Sequence, residues 1–225
     1  MKVKNPEIDV GGKKFLRIPV KTHVITRDDR IVDVVKKYAL PELKENDIVF
    51  ISEKAVAITQ GRAFPVKDIK PGWLAVFLSG HVTKTPNGIG LGIPETMEMA
   101  LKECGVIRIL IAAAIGFAGK LLGRKGDFYR VAGYKASSID GPTPNTLPPY
   151  NTYVVLGPAR PDSVASEIAG AIKERTVIAD LNDLGGKILG RSDRSLDKYW
   201  LLSVLRDNPL GQSSEQTPIG IIREI

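Results

Sequence analysis

The hydrophobic pattern divides this chain into short apolar runs separated by turn-forming clusters, with a few stretches periodic enough to be helices. Residues 13–26, KKFLRIPVKTHVIT, read as extended segments. In 27–40, apolar side chains fall at Ile31, Val34, Val35 and Tyr38, the i, i+3, i+4, i+7 spacing of an amphipathic helix, with acid at its start and lysines near its end. Pro41 stops it. NDIVFIS, 46–52, reads as a buried strand, and EKAVAITQGR after it as a short helix or a second strand ending at Gly61. WLAVFLS, 73–79, reads as another buried segment, and 80–94, GHVTKTPNGIGLGIP, as a glycine-rich loop.

Pro94 introduces a helix that Gly105 closes. RILIAAAIG, 108–116, is apolar without a period and fits strand or helix alike. The stretch from Gly116 to about residue 150 shows no helical period, and its Gly and Pro clusters predict loops and exposed turns. TYVVLGP reads as a strand, and 161–175 as a helix with an apolar stripe at Val164, Ile168, Ala171 and Ile172. TVIAD, 176–180, is a strand, 196–211 a helix, and TPIGIIREI a closing strand. Helices and strands alternate without a regular βαβ order, which gives an α+β class with mixed sheets and packed helices. The expected organisation is one domain over 1–225 with a loop-rich insert at about 116–150.

Composition narrows the functions. At 225 residues and 43% hydrophobic, the chain is long enough to bury a sizeable core. No apolar run approaches the roughly 18–20 residues of a membrane span, and the first residues lack the apolar core of a secretory signal, so a cytoplasmic protein with no membrane partner is expected. One cysteine, Cys104, and two histidines isolated in sequence, His23 and His81, give no zinc-like spacing and no nucleophile motif, so any metal site must use oxygen ligands. The net charge of +7 favours anionic partners such as nucleotides and phosphorylated metabolites. Nucleic acid is not expected, because Lys and Arg are spread along the chain and aromatics are only 6%.

Three segments carry candidate chemistry. In VIADLNDLGG, a strand running out into Asp180 delivers a carboxylate at a sheet edge, with Asp183 behind it and Gly185 and Gly186 able to approach a ligand or turn sharply. Mg²⁺ needs only one or two such carboxylates plus substrate phosphates. Asn182-Asp183 and the glycines equally fit the turn of a hairpin. In KASSIDGPTPN, Asp140 precedes Gly-Pro, a place for a turn or for a metal ligand on a loop. In the 80–94 loop, Gly88, Gly90 and Gly92 alternate so as to expose backbone N–H groups to a phosphate, though no GxxxxGK[ST] occurs and a flexible connection fits as well. Lys120, Arg124, Lys125 and Arg130 form a basic cluster read as solvated.

The order of these segments resembles the coenzyme F-420-0 gamma-glutamyl ligase family, collinearly from about residue 17 to 223. RIPVKTHVITRDDRIVDVV, ENDIVFISEKAVAITQGR with Asp47, Lys54, Gly61 and Arg62, SIDGPTPN followed by VVLGPARPDSVASEIAGAI, TVIADLNDLGG and GQSSEQTPIGIIRE carry the resemblance. It implies a gamma-glutamyl ligase-like fold, an intertwined homodimer, Mn²⁺ or Mg²⁺ held by Asp140 and Asp180 with Asp183 as a third candidate, and GTP as co-substrate. It further implies that L-glutamate is joined to an acidic acceptor through an acyl phosphate. Lys54 is then the cation nearest the phosphates and, with Asp180, the catalytic pair; Arg62, Gly88, Gly90 and Gly185 are candidate nucleotide contacts. The chain departs from the family pattern at Ile58 (a lysine there), Gln60 (an acid) and Leu181 (a threonine), which keeps a second reading open: a non-catalytic protein on the same scaffold that binds a nucleotide or phosphometabolite.

Overall fold

The computed structural model describes residues 4–82, 89–144, 146–183, 185–211 and 215–225. In chain order these form β1 (Glu7–Val10), β2 (Lys13–Val20), α1 (Ile31–Tyr38), β3 (Ile48–Ser52), α2 (Glu53–Thr59), β4 (Ala63–Pro65), α3 (Trp73–Ser79), α4 (Pro94–Cys104), α5 (Val106–Leu121), α6 (Asp127–Ala132), α7 (Tyr134–Ser137), β5 (Tyr153–Val155), α8 (Pro161–Ile172), β6 (Arg175–Asn182), β7 (Gly185–Arg191), α9 (Lys198–Val204) and β8 (Ile219–Glu224). The chain divides into two compact units, Met1–Gly61 with Pro158–Ile225, and Arg62–Gly157.

The first unit is built on a six-stranded sheet in the order β1-β2-β8-β3-β6-β7. Its pairs are antiparallel except β3 with β6. Gly11 and Gly12, both at positive φ, supply the two-residue turn from β1 to β2. On one face of the sheet Phe15, Phe50, Val177, Ala179 and Ile222 pack with Leu201, Val204 and Leu205 around α9. Gly220 is required there, since a Cβ on it would lie 2.3 Å from the Phe50 ring. Asp47, with its side chain 2% exposed, accepts from Arg223 Nε at 3.0 Å and Nη2 at 2.7 Å and from the Lys44 N–H at 2.8 Å, tying the start of β3 to β8.

The second unit pairs β4 with β5 and packs α3 to α7 around Leu91, Met97, Met99, Leu101, Ile109 and Ile139.

Mixed helices and sheets are as expected, and several local expectations are corrected. The helix expected over 27–40 begins at Ile31, because the Asp29 carboxylate accepts from the Thr26 N–H at 2.7 Å and its hydroxyl at 3.0 Å and holds 26–29 as a turn. The helix expected over 196–211 is confined to Lys198–Val204: Asp197 caps it, accepting from the Trp200 N–H at 2.7 Å, and Asn208 turns left-handed at φ 50 after it. WLAVFLS is helix α3 and only partly buried, with Trp73, Val76 and Phe77 exposed. The region from residue 116, expected as loops, holds the last turns of α5, from Gly116 to Leu121, and all of α6 and α7. Gly119 there is a packing residue rather than a breaker, since a Cβ would meet Asp127 Oδ2 at 2.3 Å. β6 does not end at Asp180 but continues to Asn182, and GGKILGR is strand β7. Among the described residues no single helix is long and apolar enough to cross a membrane.

Candidate functional site

β3 and β6 are the parallel pair of the sheet, in register from Ile48 with Arg175 to Ser52 with Ala179. Parallel strands deliver both chains to the same edge, and the carboxyl edge of parallel strands is where open α/β sheets bind ligands. Past Ser52, the chain enters α2 with Glu53 and Lys54; past Ala179 comes Asp180. Asp180 is therefore the first residue of β6 past the parallel pairing, and Lys54 follows the paired segment of β3 by two residues, on α2. Alternation along β6 sends Val177 and Ala179 into the α9 core, so Asp180 shares the opposite face with Thr176 and Ile178. α2 and α8 pack against this strand. Lys54 and Asp180 are both half-buried. Glu53 at the same edge is 7% exposed, a buried acid that the sequence reading passed over although it directly follows the apolar run IVFIS.

Asp183 lies on the β6–β7 hairpin, where Asn182 faces Gly185 in register. Its carboxylate is 2.6 Å from Lys4 Nζ. Gly185, at φ 152, has a conformation that a side chain would strain. The hairpin reading of Asn182-Asp183 thus describes this turn, and Asp180 itself lies in the strand opposite Lys187.

Arg62, Gly90 and Asp140 belong to the second unit. Arg62 Nε donates to the Gly157 carbonyl at 2.6 Å and Nη2 to Glu103 at 2.9 Å, joining the two ends of that unit. Gly90 has φ 49, and a Cβ on it would lie 3.0 Å from the Tyr129 hydroxyl. Burial pushes the Tyr129 phenol up, against a hydrogen bond from the Leu91 backbone. Asp140 is half-buried and bridged to Val155 by two backbone hydrogen bonds of 2.9 Å, which fix the loop carrying it against β5. Gly88 lies outside the described residues.

The basic cluster of the sequence is solvent-exposed, as expected, and two of its arginines also pair with a buried acid. Arg124 and Arg130 both close on Asp127, whose side chain is 6% exposed, at 3.1 and 2.7 Å. His23, isolated in sequence, sits in the fold between two partners: Nε2 is 3.0 Å from Asp29 Oδ1 and Nδ1 3.0 Å from the Tyr38 hydroxyl. Burial raises the Asp29 carboxyl, but the bonds from Thr26 and His23 outweigh it and hold the group below its ordinary value. Among the described residues no three His, Cys, Asp or Glu side chains form a metal-binding group.

The positions that depart from the family pattern have structural occupations. Ile58 is buried in α2. Gln60 forms a reciprocal pair with the Ala159 backbone, Nε2 donating to the carbonyl at 2.9 Å and Oε1 accepting from the N–H at 2.7 Å. Leu181 packs against the α9 core.

A comparison with curated proteins finds no match. The family model for F420-0:gamma-glutamyl ligase matches residues 19–180, from β2 to the Asp180 position of β6. That span covers well over half of the chain and includes both strands of the parallel pair, so the chain belongs to the F420-0:gamma-glutamyl ligase family.

Proposed function

We propose that the chain is a GTP- and divalent-metal-dependent gamma-glutamyl ligase, working as a homodimer, that joins L-glutamate to a carboxylate acceptor of the F420-0 type. The observation that supports this reading is the parallel pair β3–β6 inside the span that matches the family, with Lys54 following the paired segment of one strand and Asp180 that of the other. In the reaction an acceptor carboxylate oxygen bonds to the γ-phosphorus and GDP departs. The glutamate amine then attacks the acyl carbon, inorganic phosphate leaves, and the nitrogen gives its proton to solvent.

Such chemistry depends mostly on positioning and on neutralising phosphate charge. The Lys54 ammonium supplies a fixed cation for the phosphate oxygens. Asp180 offers a half-buried carboxylate oxygen of the kind Mg²⁺ or Mn²⁺ accepts, and Asp140 is a separate candidate ligand in the second unit. When bound, the metal neutralises developing charge on the transferred phosphoryl group. Arg62, Gly90 and Gly185 are secondary candidates for nucleotide contact.

The buried Ile58 and the engaged Gln60 favour a second reading, in which the same edge holds a nucleotide or phosphometabolite without turnover. One experiment separates the two: calorimetric titration of the metal-stripped chain with GTP, with and without Mn²⁺, followed by phosphate release with glutamate and acceptor. The ligase reading expects metal-dependent binding and glutamate-dependent phosphate release. Both signals should fall at least ~10²-fold in Lys54→Met and Asp180→Asn, with circular dichroism unchanged. Binding without turnover supports the second reading, and no GTP binding under any metal overturns both.

A further inference from the structure

The exterior of α5 is unlike that of an ordinary surface helix. Seven of its sixteen residues are large apolar side chains more than 40% exposed, among them Ile107 at 75%, Phe117 at 66% and Leu121 at 73%. Single exposed apolar residues need no explanation, but a contiguous face of them marks an interaction surface. On the opposite side Ile109, Ala112 and Gly119 are buried and hold the helix to its own unit. At roughly 100° per residue, the exposed apolar positions fill about half of the helix circumference.

Charge indicates what covers this face. Arg108 and Lys120, both exposed, stand at its two margins, and the exposed Arg124 and Lys125 follow its carboxyl-terminal end. From Cys104 to Gly126 the sequence contains no acid. The acids that flank this stretch are already engaged, Glu103 by Arg62 at 2.9 Å and Lys135 at 3.3 Å, and Asp127 by Arg124 and Arg130. Arg108 is held in place by Nε, which donates to the Val131 carbonyl at 3.1 Å, beside an apolar groove that Ile107 and Ile111 help to line. A second copy of the same face would set these cations against their like in either orientation. An anionic lipid surface offers the opposite sign at the margins and hydrocarbon between them.

We infer that α5 docks the chain on an anionic membrane surface, lying in the plane of the interface with its apolar face among the upper acyl chains and Arg108 and Lys120 at the headgroups. Long basic side chains at the border of an apolar face suit this arrangement, because their stems stay in hydrocarbon while their charges reach the headgroup level. The helix does not cross. Its sixteen residues span about 24 Å at 1.5 Å per residue, against a hydrocarbon core of about 30 Å. α4 and α5 together have the hydropathy of a span, but they are bent by 118° where they meet. The expectation of no membrane partner rests on the lack of a span, and a helix lying in the interface needs none.

The inference goes beyond the ligase reading, uses no residue of the β3–β6 edge and leaves the homodimer proposed above to other surfaces. The test is co-sedimentation of the full chain with vesicles of phosphatidylcholine alone, or with about one-third phosphatidylserine, at ~50 and ~500 mM salt. Wild type should pellet with the phosphatidylserine vesicles at low salt at least ~10-fold more tightly than with phosphatidylcholine, and high salt should weaken that binding. Ile111→Glu, within the apolar face, and Lys120→Glu, at its margin, should each lose at least ~10-fold of that affinity with circular dichroism unchanged. A wild type that stays in the supernatant, or that binds without regard to lipid charge, overturns the inference. Binding that survives Ile111→Glu places the membrane contact elsewhere and overturns it as well. In sedimentation velocity without vesicles, a wild-type dimer that Ile111→Glu dissociates would assign the face to a second copy and likewise refute the inference.

Discussion

Gln60 stands where the family pattern carries an acid, and the structure supplies a physical reason why an amide suits this chain. Its side chain both donates to and accepts from the Ala159 backbone, at 2.9 and 2.7 Å, as a neighbouring strand would. Ala159 leads into Arg160, held at φ 47, and so into α8. The clamp therefore fixes the start of the helix that packs on β6. Gln60→Ala removes both bonds. At about 1 kcal/mol for each partly exposed neutral bond, the cost is about 2 kcal/mol. Gln60→Glu keeps the acceptor but loses the donor and sets a carboxylate oxygen against the Ala159 carbonyl, a cost of about 1 kcal/mol at neutral pH.

The sign of its pH dependence follows. The carbonyl disfavours the charged form, so the introduced carboxyl titrates above the usual ~4.3 in the folded state. Its defect is then full above that range and shrinks as pH falls, because the protonated acid donates again. Urea unfolding checks this: with slopes of ~2–3 kcal/mol/M, Gln60→Ala should lower the midpoint by about 0.7–1 M at pH 7 and Gln60→Glu by about half as much. The Gln60→Glu deficit, each variant being compared with wild type at the same pH, should narrow by pH 4. Two variants with wild-type midpoints, or a Gln60→Glu deficit unchanged at pH 4, would refute the clamp.

Three further outcomes follow from the packing. Arg223→Ala leaves the buried Asp47 carboxylate with the Lys44 N–H but without its bidentate partner, and should cost about 3–5 kcal/mol in denaturant unfolding; adding Asp47→Asn should recover part of that loss. Gly119→Ala drives a Cβ to within 2.3 Å of Asp127 Oδ2 and should lower thermal stability by an amount equivalent to ~1–3 kcal/mol, whereas Ala118→Gly on the exposed side should cost no more than about 1. The Asp29 carboxyl, held below its ordinary value, contributes stability above pH ~4 that disappears as pH falls through its folded pKa. Asp29→Asn should flatten the acid limb of stability against pH below about 4, and an unchanged limb would show that the His23–Asp29–Thr26 cluster contributes nothing.

What the sequence made legible depended on whether the signal was local. β3 is an uninterrupted apolar run and α8 an apolar stripe behind Pro161, and both were readable because burial and periodicity act over a few residues. α5 was ambiguous because it is apolar on its exposed face as well as its buried one, which erases the polar stripe that marks a surface helix. α6 and α7, six and four residues long, are too short for any period to register. The turn at Asn182-Asp183 was legible as turn chemistry, but the strand beyond it was not, because Gly185 and Gly186 mask β7.

The candidate site shows the same division more sharply. Asp180 was nameable by its place near a strand end, and Lys54 only through the resemblance to the family. The pairing of the strands that precede them was not legible, because parallel pairing leaves no local trace and β8, last in the chain, flanks β3 on its other side. Ile58, Gln60 and Leu181 looked, as a list of departures, like losses of ligand-binding groups. In the fold Ile58 fills core, Leu181 packs on α9, and Gln60 clamps Ala159. Those side chains are committed to holding α2, β6 and the start of α8, the elements around the parallel edge. A binding role for positions 58, 60 and 181 would require the fold to surrender those contacts. The proposed ligase chemistry at this edge is therefore left to Lys54 and Asp180, and substitutions at those two are where the ligase reading stands or falls.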